Sequence, residues 1–324
     1  MESATKPALE IKNLSVSFNS FGKKTKVLSA LNYTLYAGQT LSVVGESGSG
    51  KTVHALSILG LLGDTAKVEG EIIFEGKNLL KLSSKQMRDI RGRRIAMIFQ
   101  DPMTSLNPVL TIGNQIAETL LAHNQADKKT VESKVIDLLE QVEIKDGGAK
   151  YNSYPHEFSG GQRQRIMIAM ALACAPDILI ADEPTTALDV TIQKQIITLL
   201  KNLQTQRNMA LIFITHNLAL VSELGGNVLV LYAGQSAEES TANELFSKPL
   251  HPYSLGLIES AVPAKTGQNR LHAIEGAPPV AGEVFTGCPF EPRCKKRMPK
   301  CAASNPPVFT LNGRKTRCYL SEND

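Results

Sequence analysis

The chain has 324 residues, of which 42% are hydrophobic and 20% are charged, a composition typical of an ordinary globular protein. Its net charge of +4 is too small to indicate a nucleic-acid partner, although it suits contact with anionic lipid headgroups. The N-terminus shows no signal-peptide pattern, and no apolar run approaches the roughly 18 to 20 residues that span a bilayer. We therefore expect any membrane role to depend on other chains.

The first predicted elements are strands that lead to a phosphate-binding loop. Alternating apolar residues predict a half-exposed strand at 9–18 and a partner strand at 27–36. A buried strand is predicted at 41–44 and a helix at 53–59, and the pattern G-x-x-x-x-G-K-[ST] lies between them. This strand–loop–helix setting is the context in which that pattern binds a nucleotide.

The loop residues have separate predicted roles in binding a nucleotide. The loop consists of Gly45, Glu46, Ser47, Gly48, Ser49, Gly50, Lys51 and Thr52. Its glycines let the backbone curve closely around a phosphate, and its amides lie at a helix N-terminus, where the dipole favours an anion. Lys51 is expected to bridge the outer phosphates, and the Thr52 hydroxyl is expected to bind Mg²⁺.

After the loop, strands and helices alternate along the chain. Strands are predicted at 70–74, 94–99, 177–181, 210–214 and 228–232, and helices at 161–173 and 191–206. Between 111 and about 150 the apolar period is helical, which predicts a helical insertion in the nucleotide fold. Past residue 251 the chain is rich in Pro, Gly, Arg and Cys, so we expect a domain boundary near residue 250.

Two carboxylates follow the predicted strand at 177–181. A carboxylate at a strand end beside a phosphate-binding loop can hold Mg²⁺, and this role is predicted for Asp182. Glu183 comes one residue later and is predicted to polarise the attacking water. The pair alone would be weak evidence, but it gains weight because it follows the loop by roughly 130 residues.

A second glycine-containing motif follows the helical insertion. Its residues are Ser159, Gly160, Gly161 and Gln162, preceded by Phe158. A serine at a helix N-terminus, followed by two glycines, presents a hydroxyl and bare amides to a phosphate, although a plain N-cap would also explain it. With this motif the chain resembles the ATPase subunits of ATP-binding-cassette transporters, whose signature is Leu-Ser-Gly-Gly-Gln.

The resemblance covers about residues 9 to 250 and implies roles for four further residues. Gln100 matches the family glutamine that contacts Mg²⁺ and senses the membrane subunits, and His216 matches the histidine that contacts the γ-phosphate. Asp189 matches the loop that crosses the dimer interface, and Phe18 is the candidate aromatic residue that stacks on adenine. Phe18 could equally be a strand residue that points into the core.

The resemblance also implies the fold. It implies an α/β P-loop ATPase core of the RecA-like type, with an antiparallel β subdomain and a helical subdomain at about 101–175. The nucleotide-binding domain would span 1–250, and a Cys-rich extension would span 251–324. In this family the signature of one chain closes on the phosphate-binding loop of another, so a partner ATPase chain is expected.

Four of the five cysteines, Cys288, Cys294, Cys301 and Cys318, lie close together near the C-terminus. The paired C-x2-C knuckles of zinc ribbons are absent, and irregular Pro-rich backbone suits the looser spacing of a [4Fe–4S] cluster. Zinc and free thiols remain the alternatives, in that order. The spacing favours the cluster.

The C-terminal stretch narrows the resemblance to the oligopeptide/dipeptide permease ATPases, and within them to the dipeptide-type D subunit. It rests on His251-Pro252-Tyr253, on the cysteine motif at 288–294 and on residues 100–108. It implies a heterodimer with an F-type paralogue, two transmembrane permease subunits and a periplasmic solute-binding protein, at the cytoplasmic face of the bacterial inner membrane. Asn217 and the segment 236–240 depart from the pattern of that subfamily.

The competing hypothesis is a soluble cassette ATPase that acts on nucleic acid in repair or translation. Basic clusters at 88–94 and 295–300 are its best support. No aromatic residues interleave with them for base stacking, and the chain has neither a second cassette nor a long coiled-coil arm. The sequence therefore favours the transporter, with ATP and Mg²⁺ as cofactors and no nucleic-acid partner.

Overall fold

The computed structural model describes residues 6–20, 23–100, 105–186, 188–261, 273–280 and 282–322. Residues 101–104, at the start of the predicted helical subdomain, and residues 1–5, where no signal peptide is predicted, lie outside this set. The chain divides into two compact units. The first unit joins Met1–Lys81 to Ile214–Asp324, and the second unit is Leu82–Phe213.

The first unit contains an antiparallel sheet near its N-terminus. Its strands are β1 (Pro7–Ser20), β2 (Lys23–Tyr36), β4 (Ala66–Phe74) and β5 (Lys77–Asn78), in the order β2-β1-β4-β5. Leu9 and Ile11 are buried, and so are Leu14 and Val16 beyond a register shift between Ile11 and Leu14. The shift is needed because strict alternation would turn Leu14 to the opposite face. The predicted pairing of the first two strands is confirmed.

A second group of strands in the first unit carries the phosphate-binding loop. These strands are β3 (Thr40–Val44), β9 (Asn227–Tyr232), β10 (Gln235–Thr241), β12 (Arg314–Thr316) and β11 (Phe309–Leu311). They neighbour one another in that order, with β3 and β9 parallel and the remaining pairs antiparallel. Strands β10, β11 and β12 were not predicted. Two of the three come from the C-terminal stretch, which therefore extends this sheet.

The helices of the first unit are α1 (Lys51–Ile58), α8 (Leu218–Leu224), α9 (Ala242–Ser247), α10 (Pro252–Ala261) and α11 (Pro299–Ala303). Part of their packing is a core cluster that includes Val44, Val230, Tyr232, Tyr253 and Phe290. Tyr253 and Phe290 both contact Tyr232, with ring centroids 4.5 and 5.2 Å from it. C-terminal aromatic residues therefore complete the apolar core behind β3.

The second unit contains β6 (Ile95–Ile98), β7 (Ile178–Asp182) and the first four residues of β8 (Ala210–Thr215), in the order β8-β7-β6. Its helices are α2 (Ser84–Ile90), α3 (Ile112–Ala122), α4 (Val131–Gln141), α5 (Gly147–Lys150), α6 (Gly160–Leu172) and α7 (Val190–Arg207). β6 and β7 are parallel.

Helices are present where the sequence predicted the helical insertion, and the subdomain bounds of about 101–175 stay a prediction. α4 packs against both α3 and α6, and it buries Val135, Leu138 and Leu139. These residues recur at helical spacing, which is why the sequence predicted their shared face. Across the described ranges, no helix is both long enough and apolar enough to cross a membrane.

Candidate functional site

The phosphate-binding loop connects β3 to α1, as the sequence predicted. Gly45 and Gly50 have φ angles of 157° and 102°, in the region that favours glycine. A Cβ atom at Gly45 would lie 2.3 Å from the carbonyl oxygen of Leu231, and one at Gly50 would lie 2.5 Å from Cδ2 of Leu28. Both positions therefore require glycine for conformation, and Gly45 also requires it for space because the obstructing atom there belongs to the backbone.

Three polar residues of the phosphate-binding loop are candidate contacts for phosphate and Mg²⁺. Lys51 is 7% exposed, and its Nζ donates to the carbonyl oxygens of Gly45 and Glu46 at 2.8 and 3.0 Å. The Ser49 hydroxyl is buried and has no hydrogen-bond partner among the described residues. Thr52 is exposed in the first turn of α1. An orphaned hydroxyl, a lysine and a helix N-terminus fit a phosphate group with a bound Mg²⁺.

Two predicted catalytic residues meet in the second unit. Asp182 is the last residue of β7 and is 2% exposed, and Glu183 follows it with a φ of 47°. Gln100 Nε2 donates to Glu183 Oε2 at 3.1 Å, and the Thr186 hydroxyl donates to the same oxygen at 3.1 Å. The structure thus brings together the predicted water-polarising carboxylate and the predicted Mg²⁺-contacting glutamine.

The signature motif begins helix α6. Ser159 is the N-cap residue, since its hydroxyl accepts from the Gln162 amide while the Gln162 side chain accepts from the Ser159 amide. Phe158 is buried, so the departure from Leu preserves an apolar contact. Gly160 is exposed and Gly161 is half-buried.

The signature contacts the segment that carries Asp189. Asp189 is the N-cap residue of α7, and its Oδ1 accepts from the Ile192 amide at 2.9 Å. A Cβ atom at Gly161 would lie 2.7 Å from Cγ2 of Ile192, so glycine permits this close approach. Asp189 therefore has a clear local role as a cap, and its predicted interface role stays a prediction.

His216 and Phe18 lie in the first unit. His216 is exposed directly after the end of β8, and the next residue, Asn217, caps α8 by accepting from the Ala219 amide. Asn217 thus performs the capping that an Asp would perform. Phe18 is half-buried on β1, opposite Thr25 and Ala66. Its predicted adenine contact stays a prediction.

The four C-terminal cysteines converge on one cavity. It is lined by Cys288, Cys294, Cys301 and Cys318 with His251 and Phe290, and all four thiols are free of disulfides. Burial raises the pKa of Cys288 to about 11, and neighbouring thiols add to the shift. Burial also raises the pKa values of Cys294 and Cys318. Burial therefore favours the neutral thiol at Cys288, Cys294 and Cys318.

The described residues contain no group of three or more His, Cys, Asp or Glu side chains close enough together to hold one metal ion. A single zinc ion needs all its ligands on one atom. In a four-iron cluster each iron takes its own thiolate, so the thiols stand around a larger body. No such group is found among the described residues, so the zinc alternative gains no support and the predicted [4Fe–4S] cluster stays a prediction.

Sequence reasoning missed an ion pair that explains the departure at 236–240. Glu238 on β10 is fully buried, and its carboxylate accepts from Arg314 at 2.8 Å. It also accepts from the backbone amides of Leu250 and His251 at 3.0 and 2.9 Å. A polar strand replaces an apolar one because its partner strand, β12, carries the matching arginine. Residues 76 positions apart gave no local signal of this pairing.

A second missed contact joins the phosphate-binding loop to the cysteine segment. Arg293 and Glu46 form an ion pair at 2.6 Å, although they are 247 residues apart. An arginine beside a cysteine and a glutamate inside a phosphate-binding loop were both visible in the sequence. Only the fold pairs them.

Comparison with known protein families gives two matches along the chain. A family described as "ABC transporter" matches residues 28–186. A family described as "Oligopeptide/dipeptide transporter, C-terminal region" matches residues 237–301. The second match includes three of the four clustered cysteines and Arg293.

Similar proteins match over almost the whole chain. The oligopeptide transport ATP-binding protein OppD of Haemophilus influenzae is 47% identical over 97% of this chain and 98% of its own length. The dipeptide transport ATP-binding protein DppD of Bacillus subtilis is 46% identical over 97% of this chain and 95% of its own. Neither relative supports the alternative of an ATPase that acts on nucleic acid.

A solved dimeric ATP-binding cassette in a post-hydrolysis state with ADP and phosphate has a similar fold. Its TM-score is 0.64 at 27% identity, and the likeness covers 72% of this chain and 98% of that one. The predicted cassette fold and ATPase activity are confirmed by these relationships. The chain belongs to the ATP-binding subunits of ABC transporters, in the family of the oligopeptide and dipeptide transport ATPases.

Proposed function

We propose that this chain hydrolyses ATP to drive uptake of dipeptides, oligopeptides or a related small solute through partner membrane subunits. The observation that carries the proposal is the similarity over 97% of the chain to two ATPases named for oligopeptide and dipeptide transport. The C-terminal match at 237–301 supports the same choice, because it lies outside the match to the general transporter family.

Within this proposal, the phosphate-binding loop binds the phosphates of ATP. Lys51 exchanges its contacts with loop carbonyls for contacts with the outer phosphates, and the Ser49 hydroxyl gains the partner it lacks. Thr52, Asp182 and Gln100 are the candidate Mg²⁺ contacts. Phe18 is the candidate contact of the adenine ring.

Hydrolysis is assigned to Glu183, Gln100 and His216. Glu183 polarises the attacking water, for which its carboxylate must accept a proton from that water. The hydrogen bond from Gln100 orients the Glu183 carboxylate before the water arrives. His216 contacts the γ-phosphate, where positive or donor groups offset the charge that develops during transfer.

The signature serves a second chain. Ser159, Gly160, Gly161 and Gln162 face the nucleotide of a partner ATPase, and Asp189 lies at the interface with that partner. We propose an F-type paralogue as the partner, which makes the motor a heterodimer. Two permease subunits and a solute-binding protein outside the membrane complete the importer, and the chain acts at the cytoplasmic face of the bacterial inner membrane.

Cys288, Cys294, Cys301 and Cys318 are the proposed ligands of a [4Fe–4S] cluster. The support is that four free thiols line one cavity, two of them buried and two half-buried. A bound cluster supplies a cross-link between four positions of the C-terminal segment. Loading of the cluster requires the thiols to lose their protons. Three of them have raised pKa values, which oppose this loss.

Metal analysis of anaerobically purified full-length chain tests the cluster. We expect brown protein with about four irons per chain and the broad visible absorption of a cluster. A matched variant, Cys174→Ser, removes the one cysteine outside the group and should retain the iron. Colourless protein with about one zinc per chain would contradict the proposal.

Affinity purification from detergent-solubilised membranes tests the transporter. A tagged full-length chain should recover two polytopic membrane proteins and a second cassette ATPase. The recovered complex in lipid vesicles, supplied with its solute-binding protein, should then take up a labelled dipeptide only when ATP is present. Recovery from the soluble fraction alone, or together with nucleic acid, would contradict the proposed function.

A further inference from the structure

The phosphate-binding loop carries a glutamate that is held by an arginine from the cysteine segment. The two guanidinium nitrogens Nη1 and Nη2 of Arg293 donate to the two carboxylate oxygens of Glu46, at 2.6 and 3.0 Å. This is a two-pronged pair, in which both the distance and the plane of the carboxylate are fixed. The Arg293 side chain is 5% exposed and that of Glu46 is 26% exposed, so water screens the pair only in part.

Arg293 is itself firmly held. Its Nε donates to the carbonyl oxygen of Glu275 at 3.0 Å, and Nη1 also donates to the Tyr232 hydroxyl at 3.3 Å. The guanidinium carbon lies 5.9 and 6.0 Å from the ring centroids of Tyr232 and Phe290. A guanidinium fixed on several sides loses little further freedom when it binds a carboxylate. Arg293 is therefore preorganised for Glu46.

The backbone of Glu46 is fixed by a second C-terminal segment. Its amide donates to the Tyr253 hydroxyl at 2.8 Å, and Tyr253, on α10, is fully buried. Burial raises the pKa of Tyr253 far above neutrality, so the hydroxyl stays protonated. Arg293 thus binds the side chain of Glu46, and Tyr253 binds its backbone amide.

Glu46 also accepts hydrogen bonds from later residues of the phosphate-binding loop. Its carbonyl oxygen accepts from Lys51 Nζ at 3.0 Å and from the Ser49 amide at 3.2 Å. Both donors belong to the part of the loop that receives phosphate. A shift of Glu46 therefore moves the Ser49 amide, and it moves Lys51 as long as Lys51 contacts the loop carbonyls.

The same pair solves an electrostatic problem. A free carboxylate in a loop that accepts the negative charges of ATP would repel them. The guanidinium balances the Glu46 carboxylate at a distance where their attraction is strong. Arg293 thus removes a repulsion while it fixes the loop.

We propose that Arg293 is a positioning residue of the ATP site, which holds the phosphate-binding loop in its binding shape through the two-pronged pair with Glu46. ATP affinity then depends on the conformation of the segment between Cys288 and Cys294, because Arg293 lies in that segment. The proposal rests on the ATPase function of the family and does not require that the cysteines bind a metal.

Equilibrium binding of Mg-ATP to the full-length chain tests this role. Arg293→Met should weaken binding about tenfold, because it removes both charged hydrogen bonds to Glu46. Arg293→Lys should bind Mg-ATP with an affinity between those of the wild type and Arg293→Met, because lysine keeps the positive charge and loses the forked geometry of the guanidinium. The matched control is Arg297→Met, since the Arg297 side chain is 64% exposed and 3.7 Å from its acidic partner.

A double-variant comparison separates positioning from general damage. Glu46→Gln alone should also weaken binding, and Glu46→Gln with Arg293→Met should be no weaker than the worse single variant, since the pair acts as one unit. In the reconstituted transporter, Arg293→Met should raise KM for ATP about tenfold and change kcat less than about twofold. A loss that was only structural would lower the active fraction and leave KM unchanged.

Several outcomes would overturn the proposal. One is a folded Arg293→Met variant whose affinity for Mg-ATP lies within about twofold of the wild type. Another is a double variant whose loss of binding free energy equals the sum of the losses in the two single variants. If Arg293→Met fails to fold, Arg293→Lys and Glu46→Gln carry the same comparison, and unchanged affinity in both contradicts the role. Failure of the wild type to bind ATP would instead contradict the ATPase function itself.

Discussion

At the residue scale, Glu183 is held before any substrate arrives. Its Oε2 accepts hydrogen bonds from Gln100 and from Thr186, each at 3.1 Å. The left-handed backbone at Glu183, with a φ of 47°, is a conformation that a non-glycine residue adopts at a cost. Such a residue is kept where its side chain must point in one direction.

Glu183→Gln should abolish most hydrolysis and leave ATP binding intact. The amide is isosteric with the carboxylate but cannot take a proton from water, so we expect kcat to fall about 100-fold or more. The measurements are steady-state ATPase activity of the purified complex and equilibrium ATP binding. Glu140→Gln, an exposed residue of α4, is the control. Undiminished hydrolysis by the Gln variant would remove Glu183 from its assigned role.

The buried pair of Glu238 and Arg314 should dominate the stability of the C-terminal strands. Arg314→Met leaves a fully buried carboxylate with only two backbone donors, and we expect the free energy of unfolding to fall by about 3 kcal/mol. The neighbouring pair of Lys315 and Glu239 has side chains 40% and 23% exposed, so Lys315→Met should cost less than about 1 kcal/mol. Chemical denaturation of both variants compares them, and equal losses would contradict the expected order.

At the element scale, the two signature glycines have different local surroundings. A Cβ atom at Gly161 would lie 2.7 Å from Ile192, whereas one at Gly160 would lie 3.5 Å from Leu188, an ordinary contact. A substitution at Gly161 should therefore report on packing within the chain, and one at Gly160 should report on contact with a partner.

Gly161→Ala should lower thermal stability, with a cost of about 1 to 3 kcal/mol because α6 and α7 must move apart. Gly160→Ala should leave the melting temperature close to that of the wild type and still lower the ATPase activity of the assembled complex. Its added methyl group would then meet the nucleotide of the partner chain. Melting temperatures of the isolated variants and activities of the assembled complexes make the comparison. Full activity with Gly160→Ala would argue against a nucleotide at that amide.

Local patterns predicted many elements, and long-range pairing explains what they missed. The strand of β7, the helical face of α4 and the cap at Ser159 follow from apolar spacing and capping chemistry. β10 was missed because Glu238 and Glu239 interrupt its apolar alternation. A buried charge is tolerated there only because Arg314 lies opposite, and no local pattern reveals a partner 76 residues away.

The residues of the candidate site also fall into two groups, those that local spacing predicted and those that only tertiary contacts reveal. The glycines at 45 and 50, Lys51 and the Asp182–Glu183 pair were recognisable because their chemistry requires fixed spacing. Arg293 and Tyr253 hold Glu46 through contacts that span more than 200 residues. Their role depends on tertiary placement, so spacing alone could not predict it.

At the scale of the whole molecule, the C-terminal stretch belongs to the unit that carries the phosphate-binding loop. Contacts group residues after 250 with the first 81 residues, although the composition of the chain predicted a boundary near residue 250. Phe290 and Tyr253 fill the core around Tyr232, and β12 extends the sheet. The proposed division at residue 250 marks a change in composition within one compact unit.

A chain that ends at residue 250 should therefore fail as an independent ATPase domain. It would lack β11, β12, Tyr253, Phe290 and Arg293, and would expose the apolar surface around Tyr232. We expect low solubility, or loss of ATP binding in whatever remains soluble. Expression, gel filtration and ATP binding beside the full-length chain provide the measurement. A soluble truncated chain with the affinity of the full-length chain would contradict this expectation.

The pairing of β12 with β10 also limits how early the sheet can fold during synthesis on the ribosome. The sheet that supports the phosphate-binding loop contains residues from Thr40 to Thr316, so it cannot be completed until Thr316 has emerged. The helices of the second unit are translated well before that moment and can pack locally as they appear. Until Tyr253 and then Arg293 have emerged, the nascent chain holds the loop without their contacts to Glu46. On our proposal for Arg293, tight ATP binding then becomes a property that the chain acquires only after residue 293 has emerged.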